Sequence, residues 1–121
     1  VGEIRCPHCD TSVDEHEAGR CLDAWVAEDL MGWTRSVAGN YPWQMTPPHG
    51  LVGRLKVYLV PKYSTDIAAA WEVVGRVREG KGNCDMQWRV EWGFSFGSDF
   101  YSWAPTAPLA ICRAALKAVG E

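Results

Sequence analysis

Cys6, Cys9, His16 and Cys21 are four residues of the types that hold a soft divalent metal, spaced Cys-x2-Cys-x6-His-x4-Cys. Thiolates and an imidazole at tetrahedral reach are what zinc requires, so a structural zinc ion is the expected cofactor. The CxxC is the strongest part of this pattern, and the middle spacing differs from that of the usual zinc knuckle. A geometric condition is attached. On a regular helix, residues five apart point about 140° away from each other. His16 and Cys21 therefore converge only if the helix begins after His16. The alternative is a flexible arm carrying reduced cysteines. Cys84 and Cys112 fall on apolar stripes and read as core residues.

Two expected helix starts offer a different chemistry. Tyr63-Ser64-Thr65-Asp66 and Trp103-Ala104-Pro105-Thr106 each combine free backbone N–H groups, hydroxyls and an aromatic ring, a set that suits a phosphate with a base or ribose beside it. With Trp33 from the aromatic loop and Arg113 at the edge of the last helix, they define a candidate anion site: Trp33, Tyr63, Ser64, Thr65, Trp103, Thr106 and Arg113. Ordinary capping with buried aromatics explains the same residues, and Asp66 would repel an anion. Arg113 would either reach a phosphate or extend its head group to water.

Enzyme fingerprints are missing. The chain has no GxxxxGK[ST] loop and no GxGxxG after a strand. His16-Glu17 opens an HExxH that position 20, an arginine, leaves unclosed, and the CxxC lacks the HxE partner of zinc deaminases. Two of the three histidines, His8 and His16, lie in or next to the arm, so a histidine acid–base site within the domain is not expected. The expectation is a non-enzymatic protein. A formal net charge of −3 gives no positive field for nucleic acid. No apolar run reaches the roughly 20 residues that span a bilayer, and the polar start lacks a leader's apolar stretch; a cytoplasmic protein is expected. Five cysteines, unevenly placed, do not resemble a secreted disulfide framework.

The elements that must position these residues follow from periodicity. Residues 1–15 form an arm, and a single domain is expected over 16–121. Ala18, Leu22, Trp25, Val26 and Leu30 recur at helical spacing from Glu15 to Met31, with Gly32 as the stop. Residues 33–50 read as an ordered loop, and Leu51, Leu55, Val57 and Leu59 as a strand ended by Pro61. Ile67, Ala70, Trp71, Val74 and Val77 mark a second helix capped by Ser64-Thr65-Asp66 and broken at 79–83. From Cys84 to Phe96 every second residue is apolar, which predicts one half-buried antiparallel strand with Trp88 and Val90 inward, Arg89 and Glu91 outward, and a bulge or bend at Gly93. Gly97-Ser98-Asp99 turns it into a partner strand, Phe100 to Trp103. Thr106 caps a third helix buried along Leu109, Cys112, Ala115, Leu116 and Val119. The fold class is α/β (α+β): three helices around a small, mostly antiparallel sheet in a three-layer α-β-α sandwich.

Three segments together resemble the phage ABA-sandwich domain family. They are Gly19-Arg20-Cys21-Leu22-Asp23-Ala24 running to Met31-Gly32-Trp33, Tyr63-Ser64-Thr65-Asp66-Ile67 running to Val74, and Thr106-Ala107-Pro108-Leu109-Ala110-Ile111-Cys112-Arg113-Ala114-Ala115. The likeness runs from about residue 17 to the C-terminus. It implies helices packed around a small sheet and brings no settled activity, cofactor or catalytic residue. The CxxC arm departs from the family pattern, as does Cys21, where a polar exposed residue is expected.

These readings lead to a phage accessory protein that binds a small anionic ligand of nucleotide type and sequesters a host immune signal. The rivals are a zinc-containing adaptor that engages a host protein or nucleic acid through the arm and the 33–50 loop, and an unrecognised hydrolase. Seven tryptophans with Phe94, Phe96 and Phe100 exceed what a 13.5 kDa monomer readily hides, so a homo-oligomer is expected.

Overall fold

A computed structural model describes residues 4–35, 41, 43–46, 58–81, 84–88, 91–96 and 100–120. Among these, the order is α1 (Arg20–Asp29), β1 (Thr34–Arg35), β2 (Gln44–Thr46), β3 (Tyr58–Leu59), α2 (Ile67–Lys81), β4 (Cys84–Trp88), β5 (Trp92–Phe96), β6 (Phe100–Ala104) and α3 (Ala107–Gly120). Three helices and small antiparallel sheets were expected and are present. The strands form two sheets, β1-β2-β3 and β4-β5-β6, rather than one.

Helix α3 is the centre. It packs on α1, α2, β5 and β6, and Leu109, Ala110, Ile111, Cys112, Ala114, Ala115, Leu116 and Ala118 are all buried. Such burial follows from its composition: alanines alternate with branched residues, so neighbours approach from several sides without a polar face intervening. Val119, assigned to the buried stripe, is exposed, while its neighbour Ala118 is the residue of the last turn that faces inward.

Helix α1 begins at Arg20, five residues later than the periodicity predicts, and Ala18 lies outside it and exposed. Gly19 is responsible: its φ of 155° is a backbone conformation that side-chain-bearing residues rarely adopt, and a Cβ there would meet nothing within 4 Å. At the other end Gly32, φ 79°, turns the chain out as expected. Helix α2 starts where Asp66 caps it, its Oδ1 accepting from Ala68 N–H at 3.0 Å. It runs to Lys81, beyond the expected break. Its buried face is Ala69, Ala70, Val73, Val74 and Val77, leaving Ile67 at the rim and Trp71, expected in the core, 45% exposed with its ring edge-on to Phe94.

The single strand expected from Cys84 to Phe96 is a hairpin. β4 and β5 pair with Cys84 opposite Phe96, Met86 opposite Phe94 and Trp88 opposite Trp92. Three residues separate the strands, so even positions of β4 pair with even positions of β5 and the apolar alternation continues unbroken through the turn. Periodicity cannot distinguish this arrangement from one long strand. Glu91 is exposed as expected; Arg89 and Val90, the side chain of Trp88 and the turn at 97–99 lie outside the described residues, as do 51–57 of the predicted strand that ends in β3. The segment read as a loop at 33–50 contains β1 and β2, strands too short to carry an alternation signal.

Gly93 is no bulge. It sits in regular register between Gln87 and Trp103, and a Cβ on it would lie 2.8 Å from the Trp103 ring. The indole lies across the strand where any side chain would stand. Gly93→Ala is expected to cost about 1–3 kcal/mol in urea unfolding, the range for overpacking a filled site. In a Trp103→Val background the same change should cost less than about half as much. Equal losses in both backgrounds would remove the indole as the cause.

Candidate metal centre and the junction behind it

The arm is a miniature hairpin. Arg5 and Ser12 form a bridge, Val13 N–H reaches Ile4 O, and Cys6 N–H reaches Thr11 O. The CxxC occupies the turn at its tip, closed by Asp10 N–H to Cys6 O at 2.9 Å. Asp10 has φ 59°, a left-handed conformation that aspartate tolerates better than most residues. The arm is not a free tail: Cys6, Val13 and His16 are buried, and Ile4 packs against the core.

Because Gly19 holds residues 16–19 out of α1, the condition on His16 and Cys21 is met. One ligand atom from each of Cys6, Cys9, His16 and Cys21 lies within 4.8 Å of the others. Two opposite edges of the cluster match a tetrahedral ion. Bonds of about 2.3 Å to sulfur and about 2.0 Å to nitrogen require S···S edges of about 3.8 Å and S···N edges of about 3.5 Å. Cys6 Sγ and Cys21 Sγ are 3.7 Å apart, and Cys9 Sγ and His16 Nε2 3.4 Å. The surroundings are those of a ligand set. His16 Nδ1 lies 2.8 Å from Glu17 O, a bond that puts the ring proton on Nδ1 and turns a bare Nε2 toward the sulfurs. His8 N–H points at Cys6 Sγ from 3.4 Å. These four residues could hold a metal ion.

Burial works against ionising two of these thiols. Burial pushes Cys21 up to about 12, reinforced by the Cys9 and Cys6 sulfurs, and burial also raises Cys6. Cys9, on the open side, is lowered through its contact with the Thr11 hydroxyl.

Behind the arm, α1, α2 and α3 meet at a polar junction. Asp23 is buried in the first turn of α1, where Oδ1 accepts from Ser64 N–H at 2.8 Å and from Ser64 Oγ at 2.6 Å, while Oδ2 takes Arg20 at 2.9 Å. Ser64 Oγ also accepts from Gly19 N–H at 2.9 Å. Arg20 continues to Val60 O. Cys112, buried as expected, donates to Tyr63 O at 3.2 Å, and burial holds its thiol well above the usual range. Arg113 sends Nε and one terminal nitrogen to His16 O, at 3.0 and 2.6 Å, and the other to Trp103 O at 3.3 Å.

The seven candidate anion-site residues are thus distributed as follows. Tyr63 is buried, raised to about 12 by burial and hydrogen-bonded to the Trp33 side chain. Ser64 is fully buried, and its donors go to Asp23 and Gly19. Arg113 is joined to Trp103, but through that residue's backbone carbonyl. Thr65 and Thr106 are exposed. Ser64 and Arg113, expected to reach an anion, instead bind the stretch that carries the arm. Asp23 was missed, and its one signal is a carboxylate between Leu22 and Ala24 on an apolar stripe.

The family model described as the phage ABA sandwich domain matches residues 24–116. The chain belongs to that family. Among solved structures, a phage protein from Bacillus cereus is similar with a TM-score of 0.64 at 19% identity, covering 84% of this chain and 87% of that one, a likeness of fold. No curated protein matches. In this ABA sandwich protein the three segments that carry the resemblance are the ones that meet at the junction: Gly19, Arg20 and Asp23 with Tyr63 and Ser64, and Cys112 and Arg113 behind them. Cys21 is where the candidate metal cluster enters α1. The matched span leaves Cys6, Cys9, His16 and Cys21 outside it.

A metal ion bound here must displace protons from Cys6 and Cys21, both raised above ordinary thiols. The conditional affinity for zinc should therefore rise with pH by at least about 100-fold per unit between pH 6 and 7, a factor of about ten for each proton released from Cys6 and Cys21, with any proton still on Cys9 adding to the slope. Competition titration against a chelator of known pH dependence measures it. A flat profile would mean that the thiols are not ligands.

Proposed function

We propose that this chain is a non-enzymatic phage accessory protein in which a structural zinc ion staples the arm to an ABA sandwich, and that it acts as an adaptor by docking a partner macromolecule. The observation that carries the reading is the convergence of three sulfurs and one imidazole nitrogen at tetrahedral spacing. Four protein ligands of this type complete a zinc coordination sphere and leave no position for a substrate, which favours a structural over a catalytic ion.

The docking half of the proposal rests on surface chemistry. Tyr41 stacks on Trp43 at 5.0 Å and 7° and is 56% exposed, while Tyr58 and Leu59 on neighbouring β3 are 49% and 63% exposed. Clustered aromatic surface of this kind is enriched at interfaces. Tyr41 and Trp43 lie in the 33–50 segment from which an adaptor contact was expected, and Tyr58 and Leu59 on β3 lie outside it, on the strand paired with β2.

The rival reading, sequestration of a nucleotide-type anion, draws support from the Trp33–Tyr63 pair. It loses the phosphate-binding donors of Ser64 and Arg113, which are engaged within the chain, and gains the carboxylate of Asp66 at the α2 start.

Protein purified without added metal should contain close to one equivalent of zinc, and chelation should lower its melting temperature. Less than about a tenth of an equivalent in freshly prepared, reduced protein would overturn the zinc assignment, because thiolate sites retain their metal. Tyr58→Ser with Leu59→Ser should leave unfolding within about 0.5 kcal/mol of the parent and abolish partner capture. Light scattering at tens of micromolar distinguishes a second copy on this face from a foreign partner. Stoichiometric release of an intact nucleotide on heating would replace the adaptor by sequestration.

A further inference from the structure

Arg113 stands 97 residues from His16 in the chain, yet two of its nitrogens converge on that one carbonyl. The same His16 supplies the ring nitrogen of the metal cluster, and its Nδ1 is held by Glu17 O one residue on. Both ends of the ligand are therefore fixed: the ring by its own neighbour, the backbone by α3. Arg113 is itself anchored through Trp103 O on β6. One helical turn further along α3, Lys117 pairs with Asp14, two residues before His16, and donates to Tyr101 O on the same strand at 3.0 Å. Two cations at i and i+4 of α3 thus each bridge the arm to a carbonyl of β6.

From this we infer that Arg113 is a positioning residue of the metal centre: by clamping the His16 carbonyl to α3 and β6, it presets Nε2 among the sulfurs and raises metal affinity without touching the ion. The inference rests on the zinc reading and deepens it. Without the clamp, the backbone of His16 lies in a non-helical stretch held on one side by the Lys117–Asp14 pair and on the other by the Gly19–Ser64 bonds, with the ring against Trp25, and binding must order the carbonyl that Arg113 no longer holds. Preorganising residues behind metal ligands typically contribute 10–100-fold in affinity. By linkage, the metal in turn stabilises the contact between arm and α3 by the same factor.

Cobalt(II) titration reports this directly, since a thiolate-rich tetrahedral site gives an intense visible spectrum, and zinc competition then yields relative affinities. Arg113→Ala should bind both ions 10–100-fold more weakly. Arg113→Lys, which keeps the charge but offers one compact donor group, should fall in between. A merely structural Arg113 would lower the melting temperatures of metal-free and metal-loaded protein equally; a positioning Arg113 narrows the gap between them. Should the parent protein give no thiolate–cobalt spectrum, the metal reading itself fails. If the parent binds and Arg113→Ala binds within about threefold of it, with the melting gap unchanged, the zinc reading stands and this inference is overturned. Should Arg113→Ala fail to fold, Arg113→Lys decides alone: affinity equal to the parent's overturns the inference, and a clear loss supports it.

Discussion

Between His16 and Gly19 the backbone stays out of the helix that begins at Arg20, so the polar groups of that stretch must find partners elsewhere. Their partners come from two other parts of the chain: Arg113 at His16 O, and Ser64 at the N–H and carbonyl of Gly19. Asp23 then takes the Ser64 amide and hydroxyl into the interior. A buried carboxylate is tolerable only when donors surround it, and here Arg20 supplies the compensating charge. The arm, the start of α1, the approach to α2 and the middle of α3 are positioned together by this one set of bonds.

How much of this was legible depends on the range of the forces involved. Helices α2 and α3 follow from local spacing, helped at α2 by Asp66, which caps its near neighbour Ala68, whereas Ser64 is drawn away to Asp23 and Gly19. The hairpin of β4 and β5 was hidden by parity: a three-residue connection returns the alternation in phase, so Trp88 and Trp92 look like successive positions on one strand. β1 and β2 were invisible because two or three residues hold no period. Trp71 and Ile67 were placed inside because they share the helical stripe, but Ala69 and Val73 define the side that α2 turns toward its neighbours.

The metal cluster was readable as a list of residues and unreadable as a geometry. Cys6 and Cys9 declare themselves by spacing, while His16 and Cys21 matter only because a glycine at position 19 breaks the helix between them. Arg113 and Ser64 were recognised as residues with something to bind. Residue type reveals donor capacity, and only the fold shows that the acceptors are the Asp23 carboxylate and Gly19 O for Ser64, and His16 O with Trp103 O for Arg113. Residues 16–23 lie just ahead of the matched family span, and their bonds to Ser64 and Arg113 join the arm to the sandwich.

Helix α3 carries Ala110, Ala114 and Ala118 at four-residue intervals, each with no exposed surface. Such a row of single methyl groups sets the distance at which neighbouring elements can approach, because any larger side chain would force the layers apart. A change to any one of the three would therefore reach α1, α2, β5 and β6 together, since all four rest on this helix.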